Sequence, residues 1–196
     1  MNGGIDLRRY ISFSCGFFLS LAAMVLLLPL QWIMSAIFAA AIHELFHYVA
    51  LQIFDARTGR ILIRSWGAEM PAEAVGRGRE LICALAGPFG GLLLIPLLPI
   101  FPRLALCALV QSLYNLLPIY PLDGGRALQC FCALVLPPTY AAWVCSFVMW
   151  LFIGVLSACG IYLSLGLRIG FLPILLAVAT ITKAIYACNH RPMALQ

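Results

Sequence analysis

Residues 32–54 read WIMSAIFAAAIHELFHYVALQIF, an apolar run interrupted by one block, His43-Glu44-Leu45-Phe46-His47. About 20 apolar residues are what an α-helix needs to cross the hydrocarbon core of a bilayer, so the run predicts a membrane-spanning helix. Histidines at i and i+4 fall on one helix face, a turn apart. There two imidazole nitrogens can share one Zn²⁺ at about 2.0–2.1 Å. Glu44, beside the first histidine, can reach water held by such an ion and act as general base and then proton donor. The competing reading is a pair of histidines packed in a helix bundle without a metal. Imidazoles and a carboxylate at membrane depth are costly without a partner, which favours the functional reading. Shuffling this composition of three His and seven acids would produce the pattern in only roughly two chains per thousand.

Composition widens that local reading to the chain. Of 196 residues 64% are hydrophobic and 10% charged, with a mean hydropathy of +1.03. Soluble domains run near ~45–50% apolar and ~25% charged, so this is the composition of a membrane protein. The net charge of +5 does not indicate nucleic-acid binding, because the basic residues stand at segment ends and form no stripe. The eight cysteines form no CxxC pair and lie mostly in apolar runs, which reads as small, reduced, buried side chains. Cys130 and Cys132 neighbour a motif described below, but C-x-C is not a usual zinc spacing.

Six stretches approach spanning length, over residues 10–30, 32–54, 81–101, 104–120, 139–165 and 169–188. The expected fold is thus an all-α polytopic membrane protein of about six transmembrane helices, one membrane-embedded domain over residues 1–196. The first run is too long for a cleaved signal peptide and has no small-residue cleavage site. With the N-terminus cytoplasmic, only Arg103 and Arg168 of the twelve Lys and Arg residues fall on the far side. Both termini are therefore expected in the cytoplasm, in a bacterial cytoplasmic membrane. The polar segment over residues 55–80 holds nine charges and one β-rich stretch, Arg60-Ile61-Leu62-Ile63-Arg64-Ser65-Trp66. It predicts a short β-like segment between the second and third spans.

A catalytic zinc usually takes three protein ligands and one water. The remaining histidine, His190, lies in the tail beyond the last span. Asp6, Asp55, Glu69, Glu73 and Glu80 sit in polar flanks, which leaves Asp123 inside an otherwise apolar stretch. By elimination Asp123 is the expected third ligand, and Gly124 and Gly125 would let backbone approach the metal closely. A plain membrane-edge turn is the alternative for this triplet. His43 and His47 stand seven to eleven residues from the end of their span, or roughly 10–17 Å at 1.5 Å per residue. Asp123 ends the fourth span on the same side, so the three ligands are expected at one level below the cytoplasmic surface.

Two motifs together resemble the site-2 proteases, intramembrane zinc metalloproteases. HELFH on the second span is followed by Asn115-Leu116-Leu117-Pro118-Ile119-Tyr120-Pro121-Leu122-Asp123-Gly124, which fits the family pattern N-x-x-P-x-x-x-x-D-G. The compact layout is most similar to the sporulation-type branch. The resemblance implies one zinc ion on His43, His47 and Asp123, and Glu44 as the catalytic glutamate. It places Asn115, Pro118 and Gly124 in substrate binding or transition-state support. A lone Asn in an apolar helix can also serve as an interhelical hydrogen-bond former. Ala86-Gly87-Pro88-Phe89-Gly90-Gly91 resembles the family's third-span segment, although Gly91 stands where many members carry Asn. By itself that cluster could equally be a helix-packing face. No PDZ domain is expected between the second and third spans, and no C-terminal regulatory domain is expected after the sixth.

The expected function is hydrolysis of peptide bonds in membrane-associated proteins near the cytoplasmic face. The expected partners are a membrane-anchored protein substrate, membrane lipid and a separate regulatory membrane protein. Two rivals stand beside it: a non-catalytic zinc-binding scaffold, and a metal transporter. Conduction would require ionisable residues on several spans, and spans one, three and five hold almost none. A scaffold has no use for Glu44.

Overall fold

The computed structural model describes residues 29–54, 76–168 and 170–189, together with three short strands nearer the N-terminus. Six α-helices dominate: α1 (Leu30–Ile53), α2 (Arg77–Leu92), α3 (Pro102–Asn115), α4 (Asp123–Val135), α5 (Pro138–Ile161) and α6 (Leu172–Asn189). The strands are β1 (Ile11–Phe13), β2 (Ile61–Arg64) and β3 (Gly67–Glu69). β2 pairs antiparallel with β3, and β1 pairs parallel with β2, α1 being the crossover between them. The β-like segment expected over residues 60–66 is represented by these pairings of three and four residues, which form no layer of the architecture. The protein is helical.

Three of the expected spans are long and apolar enough to cross a membrane: Leu30–Ile53, Arg77–Leu97 and Pro138–Gly166. A shorter apolar helix covers Pro173–Cys188. The other two expected spans need correction. Residues 11–13, read as the start of the first span, stand in β1, where Ile-Ser-Phe follows the alternation of a strand. Residues 14–28 lie outside the described residues. The fourth span was expected to run to Tyr120, but α3 stops at Asn115. Pro118 explains the stop: a proline lacks the N–H for the next helical bond and its ring crowds the turn before it. A new helix, α4, then starts at Asp123, the residue expected to end the fourth span.

The chain forms two compact units, Met1–Arg79 with Ala86–Leu113, and Glu80–Leu85 with Tyr114–Gln196. In the first unit, α2 carries small residues toward both neighbours. A side chain at Gly90 would enter the Phe46 ring of α1, and one at Gly91 would meet the Ser112 hydroxyl of α3. Ala105, Ala108 and Ser112 of α3 are fully buried, so small side chains fill the helix contacts. Large apolar side chains point the other way: Met34, Ile37, Phe38, Leu45, Val49 and Ile53 of α1 are all exposed. Small residues within and bulky apolar ones without is the pattern of helices packed in lipid.

In the second unit a core of Ile119, Leu122, Met149, Ile153 and Ala184 joins the loop after α3 to α5 and α6. The loop is therefore half-buried or buried along its length. Irregular backbone at membrane depth is tolerated only in such surroundings, because lipid offers no hydrogen bonds. A buried polar contact adds to the core. Thr180 Oγ1 donates to Leu176 O at 2.8 Å, so at 2.9 Å it accepts from the Tyr114 hydroxyl. The peptide bond between Tyr120 and Pro121 is cis.

Candidate metal centre

α1 puts His43 and His47 on its inward face, in line with Ala39 and Ala50 at intervals of three to four residues. His43 is buried at 2% exposure, while Glu44 and His47 are half-buried. The two rings meet edge to face at 83°, and their Nε2 atoms lie 3.2 Å apart. A tetrahedral ion with bonds of about 2.0–2.1 Å holds neighbouring ligand atoms roughly 3.3 Å apart, so this pair already has the spacing of two zinc ligands.

Asp123 is the first residue of α4, with Leu122 as its extended cap. A helix N-terminus presents unpaired N–H groups and the positive end of the dipole, a favourable place for a carboxylate. Among the described residues one group of side chains could hold a metal ion: one ligand atom each from His43, His47 and Asp123, all within 4.8 Å of one another. Two neutral nitrogens and one carboxylate oxygen form a donor set suited to zinc. The residues fit the ion that the sequence motif implies.

The glycines after Asp123 pack closely against the loop that precedes them. A Cβ on Gly124 would collide with the Leu116 and Leu117 carbonyls, and one on Gly125 with the Ile119–Tyr120 peptide. They let the first turn of α4 press against the loop that precedes it. Asn115 is the last residue of α3, half-buried, and Pro118 lies in the loop. Arg126, one turn after Asp123, approaches Glu80 at 3.8 Å, both side chains being over 40% exposed. Cys130 and Cys132 are buried on α4 and take no part in the metal-binding group. His190 lies outside the described residues.

The residue that sequence reasoning missed is Gly87 of α2. A Cβ there would enter the His47 imidazole, so the bare backbone of α2 touches one of the two histidines. The Ala86-Gly87-Pro88 cluster was the available signal, but its partner depends on how α1 and α2 pack.

No family model matches the chain, and neither does any curated protein. Among solved structures it is similar to the Site-2 Protease from Methanocaldococcus jannaschii. The match covers 95% of this chain and 93% of that one, with a TM-score of 0.67 at 19% sequence identity. The likeness is one of fold: the chain has the fold of a site-2 protease, and its apolar helices are those of a membrane protein.

Proposed function

We propose that this protein is an intramembrane zinc metalloprotease of the site-2 type, with His43, His47 and Asp123 as ligands of one zinc ion and Glu44 as the catalytic acid–base. The observation that carries the reading is the convergence of these three ligand atoms within 4.8 Å in a chain with a site-2 protease fold. Bound there, zinc supplies a Lewis acid that activates water and polarises a carbonyl. Glu44 follows His43 directly on α1 and is half-buried, and in this reading its carboxylate reaches the attacking water. It takes a proton from the attacking water and passes it to the amide nitrogen as the C–N bond breaks, which balances the hydrolysis. Asn115, where α3 ends, offers an amide to the substrate backbone.

The substrate is a membrane-anchored protein cut near the cytoplasmic face. A spanning helix keeps its amides bonded internally, so the substrate must unwind before a carbonyl can be reached. The irregular backbone around Pro118 offers that unwound segment strand-like pairing, with Gly124 keeping the loop closed on α4. Both termini are cytoplasmic in this reading, and a separate membrane protein governs access. Glu44→Gln should lower cleavage by at least about 100-fold, the low end of what a positioned acid–base contributes. Zinc per chain should stay at the wild-type value. A Glu44→Gln chain that processes substrate at the wild-type rate would sink the assignment.

A further inference from the structure

Helix α2 holds four glycines, and they face different surroundings. A Cβ on Gly78 would meet nothing within 4 Å, one on Gly90 the Phe46 ring, and one on Gly91 the Ser112 hydroxyl. On Gly87 it would enter the His47 imidazole, nearest at Nε2, with Cε1 at 2.6 Å and Cδ2 at 2.7 Å. Those atoms form the tip of the ring, the edge by which His47 comes within 3.2 Å of His43 Nε2. The buried backbone at Gly87 is therefore a wall of the space where the two nitrogens converge.

We propose that Gly87 is a positioning residue of the metal centre: its missing side chain lets the His47 Nε2 edge sit where it can join His43 in binding one ion. The proposal rests on the reading of these histidines as ligands. It differs from ordinary helix packing in what a substitution does. An imidazole turns about two side-chain bonds, and His47 is only half-buried, so the ring can swing aside while the helices stay in place. Gly87→Ala thus keeps the fold and loses the ligand geometry, whereas Gly124→Ala would push on backbone that cannot swing.

The test compares wild type, Gly87→Ala and Gly78→Ala as full-length chains in detergent, titrated with Zn²⁺ against a chromophoric chelator. Gly78→Ala, in open space on the same helix, should bind like wild type. Gly87→Ala should bind about tenfold or more weakly with unchanged helical circular dichroism, the loss typical when the groups that orient a ligand are disturbed. In metal-free protein with labelled histidines, the His47 ring resonances should move in Gly87→Ala and stay put in Gly78→Ala. Wild-type zinc affinity in Gly87→Ala overturns the proposal alone. A wild-type chain that binds no zinc removes the metal reading, and this proposal with it. Should Gly87→Ala fail to fold, adding His47→Ala must restore the fold, because it empties the contested space; failure to do so also overturns the proposal.

Discussion

His43, His47 and Asp123 reach one place by different physical routes. The histidines need only the 3.6-residue period of α1, which stacks i and i+4 and leaves their Nε2 atoms 3.2 Å apart. Asp123 depends on a chain break, since Pro118 ends α3 and the carboxylate opens the next helix. Removing the proposed ligands should therefore have a common effect with different side costs. Asp123→Asn and His43→Ala should each lose zinc at stoichiometric concentrations, measured by metal analysis after gel filtration. Asp123→Asn should leave thermal stability in the zinc-free state within about 1 kcal/mol, because in the first turn of α4 it gives up only the attraction of the carboxylate charge to the helix dipole. His43→Ala empties a buried site and should destabilise by more, on the order of 2–3 kcal/mol. Equal zinc content in wild type and either variant would contradict the ligand assignment. The charged pair Glu80–Arg126 is another matter: both side chains are more than 40% exposed, and Glu80→Gln should change stability by less than about 1 kcal/mol.

At the scale of elements, the deciding piece is the loop between α3 and α4 with its support from α6. Ile119 and Leu122 are buried against Met149, Ile153 and Ala184, and Tyr114 donates to Thr180 beside them. Thr180→Val keeps the shape but removes the acceptor of that hydroxyl. Leaving a largely enclosed hydroxyl without its partner costs about 1–3 kcal/mol, while Tyr114→Phe, which removes the donor, should cost about 0.5–1.5 kcal/mol. Thermal unfolding in detergent measures both, and the double variant should cost less than the sum of the two. Additive losses would show that the contact is not formed. Much of this level was hidden in the sequence. α1 was legible almost to the residue, since a long apolar run with an inward block has one sensible reading. α4 was not, because Gly124 and Gly125 are poor helix formers and point locally to a turn. Their role appears only when the Leu116–Tyr120 backbone lies against them. Gly87 was seen as part of a packing cluster, but local sequence does not tell which residue of α1 it meets.

At the scale of the molecule, the distribution of side chains sets the solvent. Ala39, Ala84, Ala105 and Ala108 fill the interior, while Phe38, Trp143, Phe147 and Leu151 lie on the outside. Water would not tolerate that surface over helices as long as the 24-residue α1 and α5, and lipid does. Leu151, midway along α5 and half exposed, is a clean probe. Leu151→Arg should oppose membrane insertion by about 2.5–3.5 kcal/mol, read as the fraction recovered in washed membranes, and Leu151→Phe should have no effect. The same membrane setting bears on the proposed function, in which zinc ligands and Glu44 at bilayer depth would serve a reaction on a membrane-anchored chain. The most direct measurement is a comparison of membrane-protein fragments in cells expressing wild type or Glu44→Gln. Fragments cut in or beside a transmembrane segment should appear with wild type and be absent with Glu44→Gln. Identical fragment sets from the two would contradict the account.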